Sequence, residues 1–246
     1  MGMKRLHVWL TKEEIVPERL VGAAAVVIDV LLATTTMVTM MERGAQRVFP
    51  VGSLEEARRL RRELASPNLI TGGEEDGFKV EEFDLGPLPD EFTEEVVRGK
   101  DIIFLTTNGT RAVRYAQPAG QLLLGCLRNA PAVADYLNRA AVEDVFIICA
   151  GSKGHFSYED FLCASEIVSR LDLTGVKMND AAQFAYDSAQ NRPGEVFDAL
   201  RRGRVGRYFM ENGLRELLQF VGSVGDASTV VEVKDGQLRL LLESRC

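Results

Sequence analysis

Residues 23–36, AAAVVIDVLLATTT, decide the fold of this chain. The nearly continuous apolar run over residues 23–30 is typical of a strand that is covered on both faces. Residues 33–43 have the composition of a helix, and Gly44 predicts where that helix ends. A buried strand followed directly by a helix is the repeating unit of an α/β fold.

The same order of strand and helix recurs along the rest of the chain. Further strands are predicted around His7 and over residues 46–51, 101–105, 121–125 and 144–150. Helices are predicted after the cap Ser53, from near Gly109, Asn129 and Tyr158, and over residues 180–190 and 193–202. The last two strands, residues 229–234 and 237–242, flank an Asp235-Gly236 turn, which is a strong hairpin signal.

These elements predict a three-layer α/β/α sandwich with a mostly parallel or mixed sheet and a C-terminal β-hairpin. No segment rich in proline and serine divides the chain, so we expect a single domain over residues 1–246. His7 is expected to be structural, because it lies within its strand.

The charge and the cysteines narrow the class of protein. The formal net charge of −7 argues against a nucleic-acid partner, which would require a basic surface. No apolar run reaches the roughly 18 residues that a membrane span needs, and the N-terminus becomes charged too early for a signal peptide. The four cysteines, Cys126, Cys149, Cys163 and Cys246, form no CxxC pair and are expected to be reduced, mostly buried thiols. We therefore expect a cytoplasmic enzyme, and the sequence leaves room for a homodimer.

Chemistry is expected in the polar turns after the strands, because ligands of open α/β sheets bind at the carboxyl ends of the strands. The first turn carries Asp29, followed by Thr34, Thr35 and Thr36 at the start of a helix. An aspartate there can hold a divalent cation, and threonine hydroxyls and helix N–H groups can bind anionic oxygens. The structural alternative is that Asp29 caps the helix while the threonines bond to backbone groups.

The second turn, residues 105–112, reads LTTNGTRA. Its candidate substrate-binding residues are Thr106, Thr107, Asn108, Gly109 and Thr110. Arg111 adds a guanidinium one turn into the helix, where it could hold phosphoryl oxygens. The spacing and the lysine of a Walker A loop are missing. The structural alternative is an Asn-Gly turn with a surface arginine.

The third turn, residues 149–160, reads CAGSKGHFSYED. Gly151 allows close approach to the backbone, and Lys153 supplies a positive charge. Glu159 and Asp160 are candidate catalytic and metal-binding carboxylates, although acids at a helix start also complement the helix dipole. His155 is expected to be solvated rather than catalytic.

Together the three turns offer carboxylates for a hard cation and donors for an anion, which suits metal-assisted chemistry on a small phosphorylated molecule. Asp29, with Glu159 or Asp160, is the predicted metal-side set. The sequence supports no Ser-His-Asp triad, its histidines and cysteines lack the spacing of zinc ligands, and no GxGxxG follows a strand.

Three motifs carry a family resemblance: VVIDVLLATTTMVT, FLTTNGTRA and AGSKGHFSYEDFLCA. In this order, over residues 25–171 and more faintly over residues 180–226, the chain resembles the 2-phosphosulfolactate phosphatases of coenzyme M biosynthesis. The resemblance implies an α/β/α fold and Mg²⁺-dependent hydrolysis of a phosphate ester of a sulfonated 2-hydroxy acid. It implies roles for Asp29, Thr34, Thr35, Thr106, Asn108, Gly109, Thr110, Arg111, Asn129, Gly151, Glu159 and Asp160.

The chain departs from the family pattern at three positions. Leu32 and Glu75 stand where the family usually has arginine, and Leu88 lies where it usually reads Gly-Asn-Ser-Pro. A substrate with a phosphate, a carboxylate and a sulfonate needs guanidinium partners. The alternative hypothesis is therefore a family member with a shifted substrate, or one that binds a small molecule without catalysis.

The acidity of the chain is concentrated in residues 72–91. This segment has eight acidic residues and one lysine, which equals the whole formal net charge of −7. A third hypothesis is a metal-binding enzyme of another class that uses Glu74, Glu75 and Asp76. A solvated acidic loop is the preferred explanation of that cluster.

Overall fold

The computed structural model describes residues 2–241. They contain eleven strands: β1 Arg5–Trp9, β2 Ala24–Ile28, β3 Arg47–Val51, β4 Leu69–Glu75, β5 Phe78–Lys79, β6 Asp101–Leu105, β7 Gln121–Gly125, β8 Asp144–Cys149, β9 Lys177–Met178, β10 Val231–Lys234 and β11 Gln237–Leu240. They also contain a 3-10 turn, Lys12–Glu14, and eleven α-helices: α1 Pro17–Leu20, α2 Ala33–Glu42, α3 Leu54–Leu64, α4 Glu94–Val97, α5 Gly109–Tyr115, α6 Ala130–Arg139, α7 Tyr158–Val168, α8 Asp180–Gln190, α9 Val196–Leu200, α10 Arg204–Glu211 and α11 Arg215–Gly222.

The strands form two sheets. The larger sheet has the order β11-β10-β7-β2-β8-β1-β9, with β2 between β7 and β8. Strands β7, β2, β8, β1 and β9 are parallel, and the β10–β11 hairpin is antiparallel to β7. The smaller sheet has the order β3-β6-β4-β5, in which only β5 is antiparallel to its neighbour.

The larger sheet has helices on both faces because its central strands are apolar throughout. In β2, Ala24, Val26 and Ile28 point to a core built with α6, α7, α8, α9 and α11. Ala25 and Val27 point to the opposite core, which is built with α2 and α5. The three-layer α/β/α prediction is therefore confirmed.

The smaller sheet extends the second of these cores. Ile102 and Phe104 of β6 pack into the core that holds α2, while Ile103 and Leu105 pack against α3 on the other face. At the sheet edges, β11 lies against β3. The strands of the two sheets thus enclose a common layer of helices.

Most predicted elements are confirmed to within three residues. The strands β6 and β7 and the helix α8 have the predicted bounds, and Ser53 caps α3 by accepting a hydrogen bond from the Glu56 N–H. The hairpin turn Asp235-Gly236 has positive φ at both residues, as the predicted turn type requires. The predicted strand end at Leu242 lies outside the described residues.

Several elements differ from the sequence prediction. The strands belong to two sheets rather than one, and the helix predicted from residue 193 begins at Val196. The strands β4 and β5 and the helices α10 and α11 were not predicted. The acidic segment is therefore in part a hairpin rather than a solvated loop.

Two further expectations concern the thiols and membranes. Cys126, Cys149 and Cys163 are free and buried, as predicted, and Cys246 lies outside the described residues. Burial raises the pKa of the Cys126 thiol to about 11. None of the helices within residues 2–241 is long and apolar enough to cross a membrane.

Candidate active site

The candidate site lies where strand ends from both sheets meet. Asp29 follows β2, Lys12 follows β1 and Gly151 follows β8, all at the carboxyl edge of the larger sheet. The LTTNGTRA turn follows β6 of the smaller sheet, and it enters the same region through α5. The three turns predicted from the sequence are therefore brought together.

Asp29 is a buried carboxylate at the centre of this site. Burial, followed by the charges of Glu159 and Glu74, raises its pKa from 3.8 to about 7. The Ala33 N–H and the Lys12 ammonium act in the opposite direction. Two further acids thus act on the buried Asp29 carboxylate.

Gly109 sets the distance between the second turn and Asp29. A Cβ atom added to Gly109 would lie 2.4 Å from the Ala33 Cβ and 2.9 Å from Oδ2 of Asp29. Any side chain at position 109 would therefore displace the start of α5 or the carboxylate. Glycine here is a requirement of packing between α5, α2 and the end of β2.

Asp160 holds two of the turns together. Its Oδ1 accepts a hydrogen bond of 2.9 Å from the Val30 N–H, and its Oδ2 accepts one of 3.1 Å from the Gly151 N–H. Burial, followed by the charges of Asp29 and Glu159, raises the pKa of Asp160. Since both carboxylate oxygens are engaged by backbone donors, the geometry favours a positioning role for Asp160 over that of a metal ligand.

Glu159 is the acid whose side chain is free to bind a ligand. It is 7% exposed, and its carboxylate makes no hydrogen bond or ion pair within the described part of the chain. Its Oε2 lies 3.8 Å from the position that a Cβ of Gly203 would occupy, at the start of α10. The Glu159 oxygens are thus available to a ligand beside the buried Asp29, which marks the position as a candidate functional one.

Lys12 is a buried cation that the sequence reading missed. It is 5% exposed, and its Nζ donates to Oδ1 of Asn108 at 3.2 Å and to the Ala150 carbonyl at 3.4 Å. It also forms an ion pair of 3.1 Å with Glu13. Its position was the available signal in the sequence. Lys12 lies just after the predicted first strand, as each of the three turns lies just after a predicted strand.

Glu74, which the sequence analysis named only in the third hypothesis, belongs to the site rather than to a solvated loop. Its Oε1 accepts a 2.6 Å hydrogen bond from the Thr107 N–H, and its Oε2 accepts bonds from the Thr107 hydroxyl at 3.0 Å and the Gly77 N–H at 2.6 Å. Glu75 and Asp76 are exposed. The carboxylate cluster considered in the third hypothesis therefore divides, with only Glu74 facing the site.

Several predicted binding residues use their side chains inside the protein. The hydroxyl of Thr34 donates to the Asp29 carbonyl, that of Thr35 to the Val30 carbonyl and that of Thr110 to the Thr106 carbonyl. Thr106 accepts from the Thr110 N–H at 3.2 Å. These contacts match the structural alternative, in which the threonines bond to backbone groups and fix the turns.

Asn129 likewise uses its side-chain amide within the protein. It is fully buried, its Oδ1 accepts from the Cys126 N–H, and its Nδ2 donates to the carbonyls of Leu124 and Thr229. The structure therefore gives Asn129 the role of anchoring the turn after β7. The substrate contact that the resemblance implies for Asn129 stays a prediction.

Arg111, Lys153 and His155 lie on the surface around the site. Arg111 is exposed on the first turn of α5, and within residues 2–241 its guanidinium forms no ion pair. Lys153 is exposed at the tip of a turn closed by two backbone hydrogen bonds between Ser152 and His155. His7 packs on Phe146 with 4.6 Å between ring centroids, which supports its structural assignment.

The carboxylates at the site are of the kind that binds Mg²⁺, although they do not by themselves surround a metal position. Within the described residues, no group of three or more His, Cys, Asp and Glu side chains is arranged to hold a metal ion. Mg²⁺ is commonly held by one or two carboxylates together with water and substrate phosphate. Asp29 and Glu159 are two such carboxylates, and their mutual repulsion is the kind that a divalent cation relieves.

Comparison with known proteins gives a consistent result. The family model described as 2-phosphosulpholactate phosphatase matches residues 9–236. A relative from Caldanaerobacter subterraneus subsp. tengcongensis is 37% identical over 87% of this chain and 89% of its own length. One from Symbiobacterium thermophilum is 37% identical over 91% and 97%, and one from Clostridium acetobutylicum is 33% identical over 95% and 99%. All three are named probable 2-phosphosulfolactate phosphatase.

Proposed function

The chain belongs to the 2-phosphosulfolactate phosphatase family, and on this basis we propose that it hydrolyses the phosphate monoester of a small 2-hydroxy acid, either 2-phosphosulfolactate or a close relative. The observation that carries the proposal is the meeting of Asp29, Glu159 and Lys12 at one sheet edge. Carboxylates for a hard cation and donors for a phosphoryl group are what such a reaction requires.

Mg²⁺ is the proposed cofactor, and Asp29 and Glu159 are the residues proposed to hold it. When bound, it would neutralise charge on the phosphoryl oxygens and on the leaving oxygen. Asp160 keeps both carboxylates in place by fixing the turns after β2 and β8 through the Val30 and Gly151 N–H groups. We assign Asp160 to positioning for this reason.

The phosphoryl group is proposed to bind between Lys12, Arg111 and the start of α5. The Lys12 Nζ is held by Asn108 and Ala150 beside Asp29, so its charge is already oriented before a substrate binds. Preorganised donors of this kind stabilise charge that develops during phosphoryl transfer. Glu74 supports the same turn by binding both donors of Thr107.

The alternative of a binding protein without catalysis rested on the missing arginines. Leu32 is packed against the core beside β2, and Glu75 is exposed, so neither supplies a positive charge. Lys12 places a cation at the site from another strand, however, and this supports retention of catalysis over its loss.

Phosphate release from a panel of esters tests the proposal. The panel contains 2-phosphosulfolactate, 2-phospholactate and phenyl phosphate, each measured with Mg²⁺ and with a chelator. We expect turnover of at least one 2-hydroxy acid ester that requires the metal and is lost in Asp29→Asn. Asp180→Asn, a variant of the exposed first residue of α8, is the control. No phosphate release from any ester by folded protein would refute the proposed hydrolysis, and equal turnover in chelator would refute the metal.

A further inference from the structure

Residues 201–207, RRGRVGR, form a basic segment next to the candidate site. The segment runs from the end of α9 into the first turn of α10, and its four arginines, Arg201, Arg202, Arg204 and Arg207, are all exposed. The segment therefore carries four positive charges within seven residues. Its position relative to the site follows from two contacts.

The first contact joins the segment to the third turn. The Arg204 Nη2 donates to the Ser152 hydroxyl at 3.2 Å, and Ser152 directly follows Gly151, whose N–H binds Asp160. The second contact joins the segment to a site carboxylate, since Gly203 lies beside Oε2 of Glu159. Arg204 is therefore at the rim of the site, above the buried acids.

Part of the charge at this rim has no carboxylate partner in the described part of the chain. Arg201 pairs with Asp198, and Arg207 donates to the Arg202 carbonyl. Within residues 2–241, neither Arg202 nor Arg204 pairs with a carboxylate. Lys153 adds a further exposed cation on the turn that Arg204 contacts. A guanidinium has five N–H donors, so the bond to Ser152 orients Arg204 and leaves most of its donors free.

We propose that Arg204, oriented by Ser152, binds the second anionic group of the substrate, the carboxylate or sulfonate of the 2-hydroxy acid, and so determines specificity. This inference rests on the proposed function. The carboxylates Asp29 and Glu159 at the base would repel such a group, so it must point outward, toward the rim. A guanidinium there can bind a carboxylate or sulfonate through two parallel hydrogen bonds.

The inference distinguishes two kinds of ester. A 2-hydroxy acid phosphate carries both the phosphoryl group and the second anion, whereas phenyl phosphate carries only the phosphoryl group. Loss of Arg204 should therefore weaken the binding of the 2-hydroxy acid phosphate much more than that of phenyl phosphate. If Arg204 only held the third turn in shape, its loss would affect both esters alike.

Kinetics on both esters provide the first test. We expect Arg204→Met to lower kcat/KM for 2-phosphosulfolactate or 2-phospholactate at least tenfold more than for phenyl phosphate, mainly through KM. Arg204→Lys should recover part of the loss, because it keeps the charge without the paired donors. Arg201→Met is the matched control, since Arg201 lies in the same segment and is paired with Asp198. An equal loss on both esters would overturn the proposal.

Binding of the dephosphorylated product provides a test that does not depend on turnover. In calorimetric titration with sulfolactate, the parent protein and Arg201→Met should bind alike, and Arg204→Met should bind at least tenfold more weakly. Unchanged affinity in Arg204→Met, or no binding by the parent protein, would overturn the proposal. If sulfolactate binds through Arg204 while no ester is hydrolysed, the proposed hydrolysis fails and the anion site remains.

Discussion

Asp29 is a buried carboxylate whose acidic surroundings identify the site. A buried carboxylate is stabilised when charged only if partners offset its desolvation, and here its neighbours Glu159 and Glu74 are themselves acidic. Lys12 and the Ala33 N–H offset this only in part, so the pKa rises to about 7. The protein thus keeps an arrangement that lowers its own stability, which is common where function requires it.

The first prediction concerns the stability of Asp29→Asn in the absence of divalent cations. The pKa of Asp29 is raised in the folded state from 3.8 to about 7, so the folded protein favours the protonated carboxyl group. The stabilising contribution of this protonation is complete below pH 3.8 and is lost as the pH rises through 7. Asparagine carries no charge, so the variant should be more stable than the parent at pH 8, by on the order of a few kcal/mol. The difference should shrink toward pH 4. Urea unfolding at both pH values measures it.

Asp101→Asn is a control of opposite sign. The hydrogen bond from Arg47 lowers the pKa of Asp101, so Asp101 stabilises the fold above pH 3.8 and loses that contribution as the pH falls. Asp101→Asn should therefore be less stable than the parent at neutral pH. If Asp29→Asn were also less stable at pH 8, the cost of burying the Asp29 charge among other carboxylates would not be the dominant effect.

The second prediction concerns Lys12→Met, which removes the buried ammonium and keeps much of the side-chain volume. We expect kcat/KM for the best ester to fall about 100-fold or more, the size typical of a lost preorganised donor. Lys4→Met is the control, because Lys4 is exposed and pairs with Glu143. Retained activity in folded Lys12→Met would exclude Lys12 from binding the phosphoryl group.

At the scale of elements, the sequence was informative wherever a buried strand preceded a capped helix. The unit β2–α2 was predictable because burial on both faces demands an apolar run, and a helix end at Gly44 demands positive φ. The hairpin β4–β5 was not, since the segment LITGGEE combines glycines with acids. Its signal was the two-residue turn Asp76-Gly77, which has positive φ at both residues, as Asp235-Gly236 does.

The candidate site was predictable as three turns, but not as a set of contacts. The acids Asp29, Glu159 and Asp160 follow strands that are adjacent in the sheet, so the carboxyl-edge rule brings them together. The rule could not reveal that Asp160 would bind two backbone N–H groups, or that Glu74 would reach the site from another sheet. Such details depend on how the sheets pack, which a local sequence pattern does not contain.

The third prediction tests the pairing of β4 with β6. Gly73 has φ of +129°, and a Cβ added to it would lie 1.9 Å from the Leu105 carbonyl oxygen. Gly73→Ala should therefore cost about 3 kcal/mol or more, through both strain and overlap. Gly77→Ala is the matched control, with φ of +90° but no atom within 4 Å, and should cost only about 1 kcal/mol. Urea midpoints compare the two, and equal losses would show that the backbone angle alone matters.

At the scale of the whole molecule, the site depends on how the two sheets are joined. Phe92 and Phe104, from the smaller-sheet side, share one core with Val27 and Phe146 of the larger sheet. Thr36 of α2 donates to the Pro87 carbonyl, and Arg43 donates to the carbonyls of Pro89 and Phe92. These contacts join α2, which follows Asp29, to the segment that precedes β6. We propose that the two sheets fold as one cooperative domain.

Phe104→Ala tests this cooperativity, which is the fourth prediction. Phe104 is fully buried and packs edge-to-face on Phe92 at 5.6 Å between ring centroids, so its loss should cost about 3 to 5 kcal/mol. Because the core is shared, a single calorimetric transition should shift down by about 10 °C as a whole. Hydrogen exchange should then accelerate in β2 and β8 of the larger sheet as well as in β6.

Phe78→Ala, at a residue 78% exposed, should leave the transition unchanged. Two separate transitions, with exchange in β2 unaffected, would mean that the sheets unfold independently and that the site lies between two domains.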